Sequence, residues 1–272
     1  MADPEASNDE FAALLEPVLE LAGVAGERIM AVYNTGFTVE QKADQSPVTE
    51  ADMAAHDTIV EGLAALTPEL PILSEEAADI PWKVRRGWQR YWLVDPLDGT
   101  REFVSRNGEF TVNIALIDGH EPVLGVVSVP VTGTSYYAAR GHGAYKRRGD
   151  LEAQRIHCRI QCAEQVVIVG SRSHASKALK RYLSNVGHCS LKSMGSSIKA
   201  CLVAEGKADI YPRLGPTCEW DTAAAQCVVE EAGGRVTDTS MQPLRYNTRD
   251  SLLNPHFFAY GDGDVNWAKY IG

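Results

Sequence analysis

Trp92-Leu93-Val94-Asp95-Pro96-Leu97-Asp98-Gly99-Thr100 carries an apolar strand end into two carboxylates three residues apart, a glycine and a hydroxyl. Carboxylate oxygens are hard ligands suited to Mg²⁺. Pro96 and Gly99 bend the backbone, so Asp95, Asp98 and a loop carbonyl can face one point. The plainer reading is an acidic turn. Further acidic pieces weigh against it: Thr49-Glu50-Ala51-Asp52 and Ser74-Glu75-Glu76 upstream, and Glu219-Trp220-Asp221 downstream.

The chain has 272 residues, 44% hydrophobic and 23% charged, with a formal net charge of −10. That composition is globular, and the acidity argues against nucleic-acid binding through a basic field. An anionic substrate must then be held by metal ions and a few local cations. No run of 18 apolar residues occurs, so no integral membrane segment is expected. The acidic N-terminus does not read as a signal peptide. Six cysteines, at 158, 162, 189, 201, 218 and 227, form no C-x-x-C and no zinc spacing. They read as reduced thiols of a cytoplasmic protein, with peripheral association at the inner membrane left open.

Residues 1–9 read as disordered. Ser7-Asn8-Asp9-Glu10 has capping-box spacing ahead of an amphipathic helix through Ile29, with Pro17 as a kink or restart. Thr49-Glu50-Ala51-Asp52 opens a second helix, where simple N-capping accounts for Thr49 and Asp52 as well as a functional role does. Strands are predicted at 72–73, 91–94, 111–117, 123–129, 135–139 and 143–146, making the first half α+β. Beyond Val166 the pattern alternates. It places strands at 166–169, 208–211 and 235–237 and helices at 175–186, 196–204 and 220–232, making the second half α/β. No linker separates the halves. One unit spanning 1–272 is expected, with an α+β lobe at about 10–160 and an α/β lobe at 161–272.

Asp95–Thr100 after its apolar lead-in, with Trp220-Asp221-Thr222-Ala223-Ala224 opening an alanine-rich helix, resembles the signature of the inositol monophosphatase superfamily of Mg²⁺-dependent, lithium-sensitive phosphatases. Gly170–His174, Gly195–Lys199, Cys201–Thr217 and Ser251–Pro255 are similar to the bacterial branch that hydrolyses 3′(2′),5′-bisphosphate nucleotides. The resemblance runs from about Leu14 to Asn254. It implies a layered αβαβα sandwich and a small-molecule nucleotide bisphosphate as substrate, in a monomer or homodimer. The reaction it implies removes the 3′-phosphate of adenosine 3′,5′-bisphosphate to give AMP, and that of 3′-phosphoadenylyl sulfate in the same way.

The resemblance also implies the site. One Mg²⁺ takes Glu75, Asp95 and the Leu97 carbonyl; a second takes Asp95, Asp98 and Asp221, with Asp95 bridging. Thr100 holds the attacking water, in a catalytic group with Glu75, Asp44 and Thr49. Asp44 and Thr49 belong to a loop that can seat a third ion. The phosphate meets backbone N–H groups at Gly99 and Thr100. Arg172, Lys199 and Arg213 are the local cations, with Ser173, His174, Gly195, Ser196, Ser197 and Asp221 as further contacts. Tyr211 is either a stacking platform for adenine or a core tyrosine. Cys218-Glu219 departs from the commoner family pattern, and Glu219 is expected to add negative charge near the pocket mouth. Glu76 reads as a supporting or solvated carboxylate.

Three rivals remain. Aspartyl-phosphate phosphatases need D-x-D-G-T with the first Asp as nucleophile, whereas two residues separate Asp95 from Asp98. An inositol or sugar phosphatase keeps the fold and changes the substrate. A non-catalytic nucleotide sensor would have no need of Thr100.

Overall fold

The computed structural model describes residues 4–35, 39–41, 47–162, 164–171 and 177–272. Asp44, Arg172, Ser173 and His174 lie outside the described residues. Two helices open the chain, α1 (Pro4–Ala13) and α2 (Leu15–Tyr33). The helix start at Pro4 departs from the disorder and the capping box expected over residues 1–10. The break falls at Leu14, which puts Pro17 in the first turn of α2, where its missing N–H has no intrahelical partner to lose. A short antiparallel pair, β1 (Val39–Gln41) and β2 (Pro47–Thr49), leads into α3 (Glu50–Leu66).

Next come β3 (Ile72–Ser74), α4 (Trp82–Arg85), β4 (Arg90–Asp98), α5 (Thr100–Val104), β5 (Thr111–Asp118), β6 (Glu121–Val129), β7 (Thr134–Ala139), β8 (Gly143–Arg148) and β9 (Gln154–Ile156). The strands β3 to β9 form one sheet in chain order, with β3 parallel to β4 and the remaining neighbours antiparallel. The second half supplies β10 (Val166–Ser171), α6 (Lys177–Val186), β11 (Cys189–Met194), α7 (Ile198–Ala204), β12 (Ile210–Arg213), α8 (Ala223–Glu231), β13 (Arg235–Asp238) and β14 (Phe257–Tyr260). Their sheet runs β11-β10-β12-β14-β13 and is mixed.

The layers follow from side-chain period. Along β4 and β5, Trp92, Val94, Ile114 and Leu116 pack with α2 and α3 residues such as Val18, Ala22, Ile59 and Leu63. Their alternates Tyr91, Leu93, Ala115 and Ile117 pack with Cys201 and Val203 of α7 and Ala224 and Val228 of α8. A strand buried on both faces reads as a continuous apolar run, which is why 111–117 was legible. The α7–α8 layer also packs against the second sheet, and α6 with the helical turn Trp267–Tyr270 covers that sheet's far side. The result is the expected αβαβα sandwich. Gly125 shows how close α8 comes: a Cβ there would meet the Ala224 carbonyl at 2.2 Å.

Candidate active site

Asp95 and Asp98 are three residues apart on one strand, which in a regular ladder places them on opposite faces. A bulge between them resolves this. Asp95 pairs with Asn113 and Asp98 with Thr111, so one extra β4 residue re-aims the second carboxylate toward the first. Gly99 follows at φ +95°, a conformation that favours glycine, and starts α5 at Thr100. Since β3 runs parallel to β4 with Ser74 beside Val94, Glu75 emerges next to Asp95. Asp221 arrives from the opposite layer, in the turn before α8, where the Cys218 N–H donates to its Oδ2 at 2.9 Å.

Carboxylate oxygens of Glu75, Asp95 and Asp221 all lie within 4.8 Å of one another. Asp95 is buried, its Oδ1 accepts the Leu97 N–H at 3.1 Å, and its Oδ2 has no hydrogen-bond partner. Three converging carboxylates with an orphaned buried oxygen at their centre fit a divalent cation of the hard, oxygen-seeking kind. Asp98 lies outside that trio but lines the same cavity, and its Oδ2 is 2.9 Å from the Ser197 hydroxyl.

Burial first, then Glu75, Asp98, Asp221 and Asp52, raises the Asp95 carboxyl well above the usual carboxylate range. Burial also raises Asp98, against the opposing pull of Lys199 and the Ser197 hydrogen bonds. Asp221 is pushed up to about 8 by burial, Asp98 and Glu75. Carboxyls raised in this way stabilise the metal-free fold below their ordinary pKa of 3.8 and lose that contribution as pH climbs toward about 8. A bound cation replaces those protons. The melting-temperature difference between Mg²⁺ and EDTA is therefore expected to widen from pH 6 to pH 8.5 in thermal unfolding. A narrowing difference would contradict the cluster's role.

Thr100 Oγ1 lies 3.3 Å from Asp52 Oδ1 and 3.5 Å from the Leu97 carbonyl. Asp52 is fully buried, and its Oδ2 accepts both the Thr49 N–H and the Thr49 hydroxyl at 2.7 Å each. The capping box at the start of α3 is therefore real, yet its carboxylate has a second oxygen turned to Thr100. Capping and a functional role, both open for Asp52 in the sequence, are thus combined in one side chain.

The cavity these residues line measures about 350 Å³, and Lys199, Tyr211, Arg213, Ser196 and Ser197 line it as well. Ser196 sits at φ +44°, so α7 begins at Ile198 and not at the expected residue 196; its hydroxyl is buried and unpartnered. Ser197 accepts from Asn113 Nδ2 at 3.0 Å and stands 2.7 Å from the Asp221 carbonyl as well as beside Asp98. Its hydroxyl thus holds metal-site groups. The Gly195 N–H donates to Glu109 Oε2 at 2.7 Å, and Gly195 is absent from the cavity lining. Lys199 is buried, donates to the Ser196 carbonyl and lies 5.4 Å from the Tyr211 ring centroid. Tyr211 packs edge-on against Phe257 at 5.7 Å. Arg213 donates to Thr217 Oγ1 and to the Pro216 carbonyl. Arg101, which the sequence reading passed over, also lines the cavity.

Glu219 differs from expectation. It is 2% exposed and does not line the cavity, and burial raises it to about 7 despite the Asn247 N–H it accepts. Glu76 is partly buried and also outside the lining. The six cysteines are free thiols. Among the described residues no helix is long and apolar enough to cross a membrane.

The chain belongs to the inositol monophosphatase family, whose match covers residues 11–262. It is 53% identical to the 3′(2′),5′-bisphosphate nucleotidase CysQ of Escherichia coli strain K12, over 90% of this chain and 98% of that protein. It is 42% identical to the CysQ of Aggregatibacter actinomycetemcomitans over 94% of this chain and 96% of that one. Among solved structures, CysQ from Bacteroides thetaiotaomicron superposes with a TM-score of 0.80 at 42% identity, covering 90% of this chain and 96% of that chain. The Thermotoga maritima inositol monophosphatase gives 0.76 at 26%, over 93% and 94%.

Proposed function

We propose that this chain is a Mg²⁺-dependent 3′(2′),5′-bisphosphate nucleotidase that converts adenosine 3′,5′-bisphosphate to AMP and phosphate, and 3′-phosphoadenylyl sulfate to adenylyl sulfate. The observation that carries the chemistry is the orphaned Asp95 Oδ2 between Glu75 and Asp221 in a cavity that also holds Thr100. Support for a nucleotide comes from Lys199 and Arg213 in the lining of the same cavity and from the likeness to the CysQ nucleotidases. The family generally uses Mg²⁺. Glu75, Asp95 and the Leu97 carbonyl would hold one ion, and Asp95, Asp98 and Asp221 a second. When bound, the ions supply positive charge against the phosphoryl oxygens and make water more acidic.

The chain's own groups do the rest. The hydroxyl proton of Thr100 points to Asp52 Oδ1, so the Thr100 lone pairs face the cavity and accept a proton from a water. That water attacks phosphorus in line with the 3′-oxygen. The P–O3′ bond breaks with its electron pair on O3′, which takes a proton from solvent. The water's own proton passes through Thr100 to the Asp52 carboxylate. Lys199 and Arg213 face the remainder of the substrate, where Arg's planar fork suits a second phosphate. The chain's net negative charge makes these local cations the specific attraction.

The test is phosphate release from adenosine 3′,5′-bisphosphate, inositol 1-phosphate and fructose 1,6-bisphosphate, each with Mg²⁺ and with EDTA. Turnover dependent on Mg²⁺ and highest on the nucleotide is expected. Faster release from inositol 1-phosphate would overturn the substrate, and no release from any would overturn the activity.

A further inference from the structure

Asp221 owes its position to a loop from elsewhere in the chain. The Cys218 N–H fixes the Asp221 carboxylate, and the Cys218 carbonyl accepts from Asn254 Nδ2 at 2.7 Å. The same amide reaches Thr222 Oγ1 at 3.0 Å. Backbone bonds join Glu219 N–H to the Leu252 carbonyl and Asn254 N–H to the Thr217 carbonyl, both at 2.8 Å. The Glu219 carboxylate accepts the Asn247 N–H with its two oxygens, at 3.1 and 2.9 Å. The turn bearing Asp221 therefore rests on residues 247–254, a stretch that overlaps the Ser251–Pro255 motif.

That stretch is in turn gripped from the other lobe. Arg85, the last residue of α4 and 2% exposed, donates through Nη1 to Asn247 Oδ1 at 2.7 Å and to the Arg249 carbonyl at 3.1 Å. Its Nη2 donates to the Asp250 carbonyl. Asn247 Nδ2 returns a bond to the Arg85 carbonyl at 2.6 Å, and the guanidinium stands over the Trp82 ring. Burying a guanidinium is costly unless its geometry is well met; an apolar side chain would serve if α4 needed only to cover a loop. The location of α4 supplies the reason for a cation. It lies between β3 and β4, the strands that lead into Glu75 and into Asp95.

We propose that Arg85 is a positioning residue for Asp221: by clamping Asn247 to Asp250 it sets the Asp221 turn in register with the sheet that carries Glu75 and Asp95. This rests on the metal-site reading above. The groups that orient metal ligands typically change metal affinity 10- to 100-fold when removed.

The test measures Mn²⁺ binding to the full chain by calorimetry, beside thermal unfolding in EDTA, for Arg85→Met, Arg85→Lys and Asn247→Gly. Arg85→Met is expected to weaken Mn²⁺ binding by about tenfold or more, with Arg85→Lys recovering part of the loss. Asn247→Gly suits the local φ of +51° and keeps the backbone N–H that Glu219 accepts. It should weaken binding in the same direction, and it decides the matter alone if Arg85→Met fails to fold. Variants that melt earlier in EDTA yet bind Mn²⁺ as wild type does would overturn the proposal and leave Arg85 a structural residue. A wild-type chain that takes up no Mn²⁺ would overturn the metal-site reading itself, and this inference with it.

Discussion

Asp95→Asn is expected to lower kcat/KM by on the order of a thousandfold, about 4 kcal/mol of transition-state stabilisation, while raising the melting temperature of the metal-free protein at pH 8. Both effects have one cause. The carboxylate is buried among Glu75, Asp98, Asp221 and Asp52, and its charge is tolerable only with a cation beside it. The amide keeps the shape and the Leu97 contact, removes one negative charge from the cluster that could hold a cation and relieves the like-charge repulsion on its neighbours. Its raised pKa fixes the pH window. Below about pH 4 the wild-type carboxyl is protonated folded or unfolded, so substitution changes stability little. Above that, the wild-type metal-free fold loses stability more steeply with each pH unit than the variant, which keeps the titration of its other raised carboxyls such as Asp221. In a chain of this size about 1 kcal/mol moves the melting temperature by roughly 2–4 °C. Calorimetric scans in EDTA at pH 4 and pH 8, with kinetics in Mg²⁺, separate the outcomes. More than a tenth of wild-type activity, or a stability gain that ignores pH, would return Asp95 to the status of a turn residue.

Where sequence and structure agree, the reason is local. Asp95, Pro96, Leu97, Asp98 and Gly99 are contiguous, so the bend and its ligand chemistry can be read together; the bulge that aligns the carboxylates needs the partner strand to be seen. The central strands β4 to β6 of the first sheet were legible because they are buried on both faces, whereas β9, largely exposed at the sheet's edge, was not. β11 was not, since Cys189-Ser190-Leu191-Lys192-Ser193-Met194 is a half-exposed edge strand with no clean alternation. β14 is short and lies beyond the last motif, and it pairs with strands distant in sequence. α8 was drawn three residues too early because Trp220-Asp221-Thr222 continues the alanine-rich pattern, yet Asp221 has to leave the helix to accept from Cys218. Glu219 was misplaced for a related reason. Nothing near it in sequence reveals that Asn247 offers its N–H from below, so a carboxylate next to a ligand was taken for one facing the cavity.

Thr100→Val and Asp52→Asn are each expected to cut kcat by roughly a hundred- to ten-thousandfold, the range for loss of a positioned proton acceptor, and the double variant to be little worse than either. Thr100 and Asp52 stand far apart in sequence and meet at 3.3 Å. Alone, a threonine hydroxyl is as free to donate to water as to accept from it. The Asp52 carboxylate can only accept, so it takes the hydroxyl proton and leaves the Thr100 lone pairs to the water. Valine keeps the shape and removes the acceptor. Asparagine can present an N–H to Thr100, which reverses the bond and turns the hydroxyl proton toward the water it should receive. Its remaining oxygen can still accept from Thr49, so the cap of α3 survives in part. Groups that act as one unit are not additive. Single-turnover rates should be measured on all three variants, with Mn²⁺ affinity alongside to separate loss of the proton path from loss of metal. Losses that multiply in the double variant would mean that Asp52 and Thr100 act separately, leaving Asp52 a helix cap and Thr100 without its orienting partner.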